Sequence, residues 1–231
     1  MKFGVIVYPG SNCDQDMYFL LKEGLGQSVV KLWHKATDLE GCDFLVVPGG
    51  FSYGDYLRAG AIARFSPIMK SVVKHAENGG YVWGICNGFQ ILTEAQLLPG
   101  TLLRNTNQKY ICRNTFLRAE TTDSLLTRGL NTEKAYKIPI AHAEGRYYTD
   151  EATLKSLNKN NQVLFRYSDD TGQITEEANP NGSLENIAGI CNAQRNVFGM
   201  MPHPERAASN ILGNTDGLAV FESVLNLLSS N

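Results

Sequence analysis

The cysteines of this 231-residue chain form no pattern that would support a disulfide framework or a zinc site. There are five of them, an odd number, and no two stand in a C-x-x-C pair. Disulfide-rich domains and structural zinc sites need paired, closely spaced cysteines. We therefore expect a reduced, cytoplasmic protein. The five are Cys13, Cys42, Cys86, Cys112 and Cys191.

The sequence also lacks long apolar runs and a large net charge of either sign. The apolar run at residues 3–8 stops at Pro9-Gly10, too early for a membrane span or a signal-peptide core, and no later run is longer. The formal net charge is −2 and there is no basic block, which argues against nucleic acid and anionic membranes as partners. The G-x-x-x-x-G-K-[ST] phosphate loop is also missing, and we expect neither a metal nor a cofactor in this chain.

Nearly continuous apolar strands alternate with helical patterns in the first half of the chain, which predicts an α/β fold. The expected architecture is a doubly wound, mostly parallel sheet with helices on both faces. No linker or repeat interrupts residues 1–231, so we expect a single domain. The predicted strands are residues 2–8, 28–34, 43–47, 81–85, 110–121, 135–141, 162–167 and a hairpin of 187–191 with 197–201. The predicted helices are residues 14–25, 61–77, 151–157 and 216–228, and one that follows Cys86; residues 169–181 are predicted as an exposed loop.

The most informative stretch is Gly84-Ile85-Cys86-Asn87-Gly88. An apolar run ends at Cys86 and a helical pattern starts at once on its other side. Glycines two residues before and after the cysteine permit a tight strand-to-helix turn of the nucleophile-elbow type, with Cys in place of Ser. Such a turn would expose the sulfur at a helix N-terminus, which lowers a thiol pKa. The alternative is a buried structural cysteine in an ordinary connection.

A second motif, His203-Pro204-Glu205, follows the predicted strand at 197–201, where α/β folds place active-site loops. The flanking prolines favour extended backbone, in which residues i and i+2 point the same way. Glu205 would then lie beside His203 and orient its imidazole as a base. The alternative is a surface turn in which the histidine has no special role.

Two backbone amides are candidates for an oxyanion site. Gly50 lies at the end of the predicted strand 43–47, and Asn87 follows the cysteine of the elbow. In elbow enzymes, an N–H from each of these two places holds the oxyanion. The loop at residues 51–58 carries two tyrosines and an arginine, which are typical of interface anchors. It either contacts a partner or gates the substrate, or it packs on its own domain.

The remaining candidates are weaker. His34, at a strand end, and His75, on a helix flank, are expected at the solvated surface. His142 lies at another strand end close to Glu144, which fits contact with a substrate or a partner, or a structural role. Cys13 opens a helix without a paired base and is expected to be structural.

Taken in order, Val47-Pro48-Gly49-Gly50, the stretch 84–90 and His203-Pro204-Glu205 resemble the class I (triad) glutamine amidotransferases. The resemblance runs from residue 2 to about residue 228. It implies an amidotransferase fold in which a cysteine attacks the side-chain amide of glutamine and a histidine, oriented by a glutamate, transfers the proton. The residues implied are Cys86, His203 and Glu205 as the triad, Gly50 and Asn87 as the oxyanion hole, and Gln90 for binding glutamine.

Within that family, residues 7–14, 49–58 and 200–206 are similar to the glutaminase subunits of phosphoribosylformylglycinamidine synthases. That similarity implies ammonia transfer to a separate synthetase subunit, which uses ATP and Mg²⁺ to convert formylglycinamide ribonucleotide to formylglycinamidine ribonucleotide. A small accessory subunit usually joins the two. One departure is Ala143, where the subfamily motif Ala-His-Gly-Glu-Gly has glycine.

Three rival interpretations remain. The chain could serve another synthase, such as pyridoxal-phosphate or imidazole glycerol phosphate synthase, but residues 51–55 are not expected there. It could be a stand-alone cysteine hydrolase, against which the order of the His-Pro-Glu motif argues. It could also be an inactive interaction subunit, which would have lost a member of the triad; all three are present.

Overall fold

The computed structural model describes residues 1–228. These residues cluster into two compact units. The first comprises Met1–Leu98 and Asn196–Gly199, and the second comprises Pro99–Arg195 and the segment that starts at Met200. The interpretation of the chain as a single domain stays a prediction.

The first unit is built on a parallel sheet with the strand order β2-β1-β3-β4. Its central strands are apolar throughout because both of their faces are covered; all four residues of β3 are buried. A further segment pairs with β4, because the N–H of Val82 donates to the carbonyl oxygen of Asn196 at 2.8 Å. The strands are β1 (Lys2–Val7), β2 (Ser28–Trp33), β3 (Phe44–Val47) and β4 (Tyr81–Ile85), close to the predicted bounds.

The helices of the first unit differ from the prediction at one end. The helix α1 (Asp14–Phe19) continues into a π-helical turn, Leu20–Gly24, so the predicted span is confirmed. The helix predicted at 61–77 begins only at Pro67, as α2 (Pro67–Glu77), after a separate short turn at Ala63–Phe65. Ser66 is extended, with ψ 143°, because the residue before a proline is pushed out of the helical region. The helix α3 (Asn87–Glu94) follows β4 directly.

The second unit is antiparallel, with the strand order β10-β9-β6-β7. A small additional sheet, Thr101–Leu103 with Arg146–Tyr148, was not predicted, because three-residue strands carry no readable periodicity. The elements that follow α3 in the chain are β5 (Thr101–Leu103), β6 (Ile111–Ala119), β7 (Ala135–His142), β8 (Arg146–Tyr148), α4 (Glu151–Lys159), β9 (Val163–Ser168), β10 (Ile187–Cys191), β11 (Val197–Met200) and α5 (Leu218–Leu228). The unit boundary falls within β11.

Strands and helices together confirm the predicted α/β class. Parallel strands dominate the first unit and antiparallel strands the second. Among the helices of residues 1–228, none combines the length and the apolar character that a membrane span requires.

Candidate active site

Cys86 occupies a single-residue turn between β4 and α3. Its backbone has φ 51° and ψ −107°, a conformation that residues with a side chain rarely adopt. Strain of this kind is kept only where the surrounding structure fixes it, and it concentrates at functional sites. The structure therefore confirms the predicted elbow at the predicted cysteine.

The two glycines explain how the turn closes. A Cβ on Gly88 would lie 1.8 Å from the carbonyl oxygen of Val47, and a Cβ on Gly84 would lie 2.6 Å from the backbone of Gly88. Both distances are far below van der Waals contact with backbone atoms that cannot move aside. The elbow thus needs glycine at both places so that β3, β4 and α3 can approach one another.

The elbow pattern predicted an exposed sulfur at Cys86, and the structure contradicts this prediction. The residue is buried, with 5% of its surface exposed. The prediction of an exposed sulfur was wrong because it considered the turn alone and not the packing around it. A buried cysteine reacts only with a substrate that enters the protein.

Gly50 and Asn87 both present a backbone N–H with no acceptor within the part of the chain that the structure describes. Gly50 follows β3 with φ 135°, and a Cβ there would lie 2.7 Å from the backbone nitrogen of Asn12. Asn87 is the first residue of α3, whose opening N–H groups have no partner within the helix. Two unused donors in the first unit are what an oxyanion hole requires.

The side chain of Asn87 joins several parts of the first unit. Its Oδ1 accepts the N–H of Ser52 at 3.0 Å, and its Nδ2 donates to Asp55 Oδ1 at 3.2 Å and to Gln90 Oε1 at 2.9 Å. Gln90, the predicted glutamine-binding residue, is itself buried on α3. Its amide is therefore held in one orientation by Asn87, and its role in binding stays a prediction.

In the second unit, His203 and Glu205 form the predicted pair. The imidazole Nδ1 and the carboxylate Oε1 are 2.6 Å apart, and both residues are buried. The predicted backbone conformation was wrong, because Glu205 lies in a 3-10 turn, Pro204–Ala207, and not in an extended segment. The N–H of His203 also donates to the carbonyl oxygen of Pro139 in β7 at 2.8 Å, which holds the turn to the sheet.

This pairing sets the proton arrangement of His203. A neutral imidazole that donates from Nδ1 to the Glu205 carboxylate keeps its lone pair on Nε2. The carboxylate also stabilises the imidazolium that forms when Nε2 takes up a proton. The second unit therefore contains an imidazole that is oriented as a general base requires, and its catalytic role stays a prediction.

His142 lies in the same unit as His203, at the end of β7. It is buried, neither ring nitrogen has a hydrogen-bond partner among residues 1–228, and burial, with His203 nearby, lowers its pKa to about 4. A Cβ on Gly145 would lie 2.2 Å from its ring, so only glycine leaves room for the imidazole. His142 is thus a neutral imidazole at physiological pH.

The turn that follows His142 is fixed by one buried amide. Asn105 donates from Nδ2 to the carbonyl oxygen of His142 at 3.0 Å and accepts the N–H of Gly145 at 3.1 Å. The backbone N–H of Asn105 donates to Ala143 at 2.9 Å. Ala143 does not have a positive φ, so alanine replaces the glycine of the subfamily motif without backbone strain. Asn105 was missed because it lies almost forty residues away in sequence from the turn it holds.

The structure contradicts two of the weaker predictions, those that placed His34 and His75 at the solvated surface. His34 is buried, not solvated; its Nδ1 lies 2.6 Å from the hydroxyl of Tyr53, and burial lowers its pKa. His75 is half-buried rather than exposed. Cys13 is buried at the start of α1, and its thiol donates to Asn12 Oδ1 at 3.3 Å.

The family model of the CobB/CobQ-like glutamine amidotransferase domain matches residues 1–217. The chain belongs to this family. Its match to the family covers both the elbow in the first unit and the His203–Glu205 pair in the second. The expected class I amidotransferase relationship is therefore confirmed.

Individual glutamine amidotransferase relatives match over nearly the whole chain. A protein of Koribacter versatilis named phosphoribosylformylglycinamidine synthase subunit PurQ is 59% identical, covering 99% of each chain. One of the same name from Methanosarcina barkeri is 54% identical and covers 100% of each. A solved structure titled PurLQS from Thermotoga maritima superposes with a TM-score of 0.86 at 42% identity, covering 98% of each chain.

Proposed function

We propose that this chain is the glutaminase subunit of a phosphoribosylformylglycinamidine synthase and works in purine biosynthesis. One observation carries the proposal: the chain is 59% identical to a protein of that name over 99% of both lengths. The stretch at residues 49–58, which other glutaminases are not expected to share, supports this choice of synthase over the rival synthases.

In the proposed reaction, the Cys86 sulfur attacks the side-chain carbonyl carbon of glutamine while His203 takes the thiol proton. The Gly50 and Asn87 amides hold the oxyanion, and one such donor contributes about 10² to 10³ in rate. The tetrahedral intermediate collapses, the C–N bond breaks, and His203 gives its proton to the departing ammonia. A γ-glutamyl thioester remains on Cys86.

The second half of the reaction regenerates the enzyme. His203, oriented by Glu205, removes a proton from water, and the resulting hydroxide attacks the thioester carbonyl. Breaking the C–S bond releases glutamate and returns the proton to the Cys86 thiolate. General acid–base assistance of this kind contributes about 10² to 10⁴ in rate. Gln90 binds the amino-acid end of glutamine.

The ammonia goes to a separate synthetase subunit, with a small accessory subunit completing the complex. ATP and Mg²⁺ act on the synthetase, in keeping with the absence of a phosphate-loop motif from this sequence. There, formylglycinamide ribonucleotide becomes formylglycinamidine ribonucleotide. Purine biosynthesis places the complex in the cytoplasm, in keeping with five cysteines that lack disulfide spacing.

The test is reconstitution with purified subunits. The chain is mixed with the synthetase, the accessory subunit, ATP, Mg²⁺ and formylglycinamide ribonucleotide, and formylglycinamidine ribonucleotide is followed with glutamine as the nitrogen source. Glutamine-dependent product formation that needs this chain is expected. The matched control supplies ammonium chloride instead of glutamine, which should make the chain dispensable. Product formed equally well from glutamine without this chain would refute the proposal.

A further inference from the structure

His142 is a buried polar side chain that the proposed reaction does not use. Only 2% of its surface is exposed, and neither ring nitrogen has a hydrogen-bond partner among residues 1–228. A buried donor or acceptor without a partner destabilises a fold, so native proteins keep few of them, and a catalytic role is one reason to keep one. The ring therefore offers a donor and an acceptor to a group that the described residues do not supply.

The backbone under this imidazole is held from two sides. A Cβ on Gly145 would lie between 2.2 and 2.5 Å from three atoms of the ring, so the ring lies directly against the glycine. The N–H of Gly145 donates to Asn105 Oδ1 at 3.1 Å, and its carbonyl oxygen accepts from Asn181 Nδ2 at 2.9 Å. Both asparagines are buried. Two buried amides thus fix the surface on which the imidazole rests, as a preorganised site requires.

His142 also lies near the histidine of the proposed triad. The carbonyl oxygen of Pro139, in the same strand as His142, accepts the N–H of His203 at 2.8 Å. The two imidazoles are close enough for a charge on His203 to affect the pKa of His142. His203 directs Nδ1 to Glu205, which leaves Nε2 as its basic nitrogen. The second unit therefore places a second, fixed imidazole near the proposed base.

The protonation state of His142 decides which ligand suits it. Burial lowers its pKa to about 4, so the ring is neutral at physiological pH. A neutral imidazole has one N–H donor and one lone-pair acceptor, whereas an imidazolium has no acceptor. A buried water typically makes about three hydrogen bonds to such groups, while the charged amino-acid end of glutamine needs charged or multiple partners. Water is therefore the ligand that fits a buried neutral ring best.

We propose that His142 is a further catalytic residue, whose acceptor nitrogen holds the water that hydrolyses the γ-glutamyl thioester. The inference rests on the proposed function, because it names a second group that orients the water in that reaction. The water donates one hydrogen to His203 Nε2 and the other to His142, so that an oxygen lone pair faces the thioester carbon. Two acceptors fix the water where one would let it rotate.

The step balances without a net change at His142. As the C–O bond forms, His203 takes the first hydrogen of the water as a proton. The C–S bond then breaks, and His203 returns that proton to the Cys86 thiolate. The hydrogen that was bonded to His142 stays on the new carboxyl group, which ionises in solvent after glutamate is released.

A role in hydrolysis of the thioester has a kinetic signature of its own. The value of kcat/KM covers the steps up to the loss of ammonia, in which no water takes part. It should therefore not depend on His142. Hydrolysis of the thioester should depend on it, so kcat falls and the thioester accumulates. A residue that binds glutamine would instead change kcat/KM.

The test compares His142→Phe with the matched control His75→Phe in the reconstituted complex. Both replace an imidazole with an apolar ring, and His75 also rests on a glycine, since a Cβ on Gly80 would lie 2.3 Å from its Nε2. For His142→Phe we expect kcat for glutamate release to fall about tenfold, the loss of one hydrogen bond, with kcat/KM unchanged. Mass spectra of acid-quenched chain should show the accumulated γ-glutamyl thioester. The control should match the wild type.

Two further measurements separate a catalytic role from a structural one. Hydroxylamine attacks a thioester without an ordered water, so it should restore turnover of His142→Phe by forming γ-glutamyl hydroxamate. His142→Asn and His142→Gln place an acceptor oxygen near the positions of Nδ1 and Nε2, so one of them should hydrolyse the thioester faster than the other. All rates are divided by the fraction of chain that a diazoketone analogue of glutamine labels, which counts only folded sites.

Wild-type kcat in His142→Phe would overturn the proposal, and so would a slow variant that hydroxylamine does not rescue. A lower kcat/KM with a raised KM would overturn it too, by assigning the imidazole to glutamine binding. If His142→Phe does not fold, equal hydrolysis by the two amide variants would overturn it. Each of these results leaves the proposed function standing while wild-type chain releases glutamate. Wild-type chain that neither takes the label nor releases glutamate would instead refute the proposed function.

Discussion

The elbow around Cys86 and the pair of His203 with Glu205 are held in place by different means. Around Cys86, backbone packs on backbone: a strained φ of 51° and two glycines whose hydrogens face carbonyl groups. Around His203, a side chain is held by another side chain, through one 2.6 Å contact to a buried carboxylate. The elbow should therefore be sensitive to added side-chain volume, and His203 should be sensitive to loss of the Glu205 charge. Substitutions at the elbow should lower the free energy of unfolding. Substitutions at the His203–Glu205 pair should lower kcat for glutamine hydrolysis.

Removing the charge of Glu205 should strongly reduce chemistry while leaving the fold intact. Glu205→Gln keeps an oxygen for the His203 Nδ1–H but no longer stabilises the imidazolium. We expect kcat for glutamine hydrolysis in the complex to fall by about 10² to 10⁴, with the melting temperature nearly unchanged. Steady-state kinetics and calorimetry measure the two. Glu151→Gln, at an exposed glutamate, is the control. Full activity in Glu205→Gln would remove the pair from the mechanism.

Adding one methyl group at the elbow should show the opposite pattern. Gly88→Ala puts a Cβ 1.8 Å from the Val47 carbonyl oxygen, so β3 and α3 must separate. We expect the free energy of unfolding to fall by about 3 kcal/mol, measured by urea denaturation. Gly129→Ala is the matched control, because its nearest atoms lie at an ordinary 3.5 Å. Equal stability of the two variants would show that the elbow is not closely packed.

A pH titration of stability probes the surroundings of His203. The pKa of His142 is lowered to about 4, so between pH 6.5 and 4 the unfolded chain binds a proton that the folded chain does not. Stability should be complete above pH 6.5 and decrease as the pH falls to 4, by roughly 2–3 kcal/mol. His142→Phe should lose this part of the decrease between pH 7.5 and 4.5. A variant with the wild-type acid dependence would show that His142 is not kept neutral by burial.

The sequence predicted the parts of the fold and of the site that are encoded locally. Glycines two residues on either side of Cys86 predicted the elbow, and His203 and Glu205 are two residues apart. Contacts between distant segments were missed. His34 Nδ1 contacts the hydroxyl of Tyr53, and the turn after His142 is held by Asn105. Likewise, β5 pairs with β8, which lies more than forty residues away in the sequence.

The central claim is that Cys86 is the nucleophile of a glutaminase. The direct measurement is glutamate release from glutamine by the reconstituted complex that contains either Cys86→Ser or, as the control, Cys112→Ser, at an exposed thiol. We predict that Cys86→Ser lowers kcat by more than about 10³, while complex formation and activity with ammonium chloride persist. The control should match the wild type. Glutamate release by Cys86→Ser at the wild-type rate would contradict the whole account.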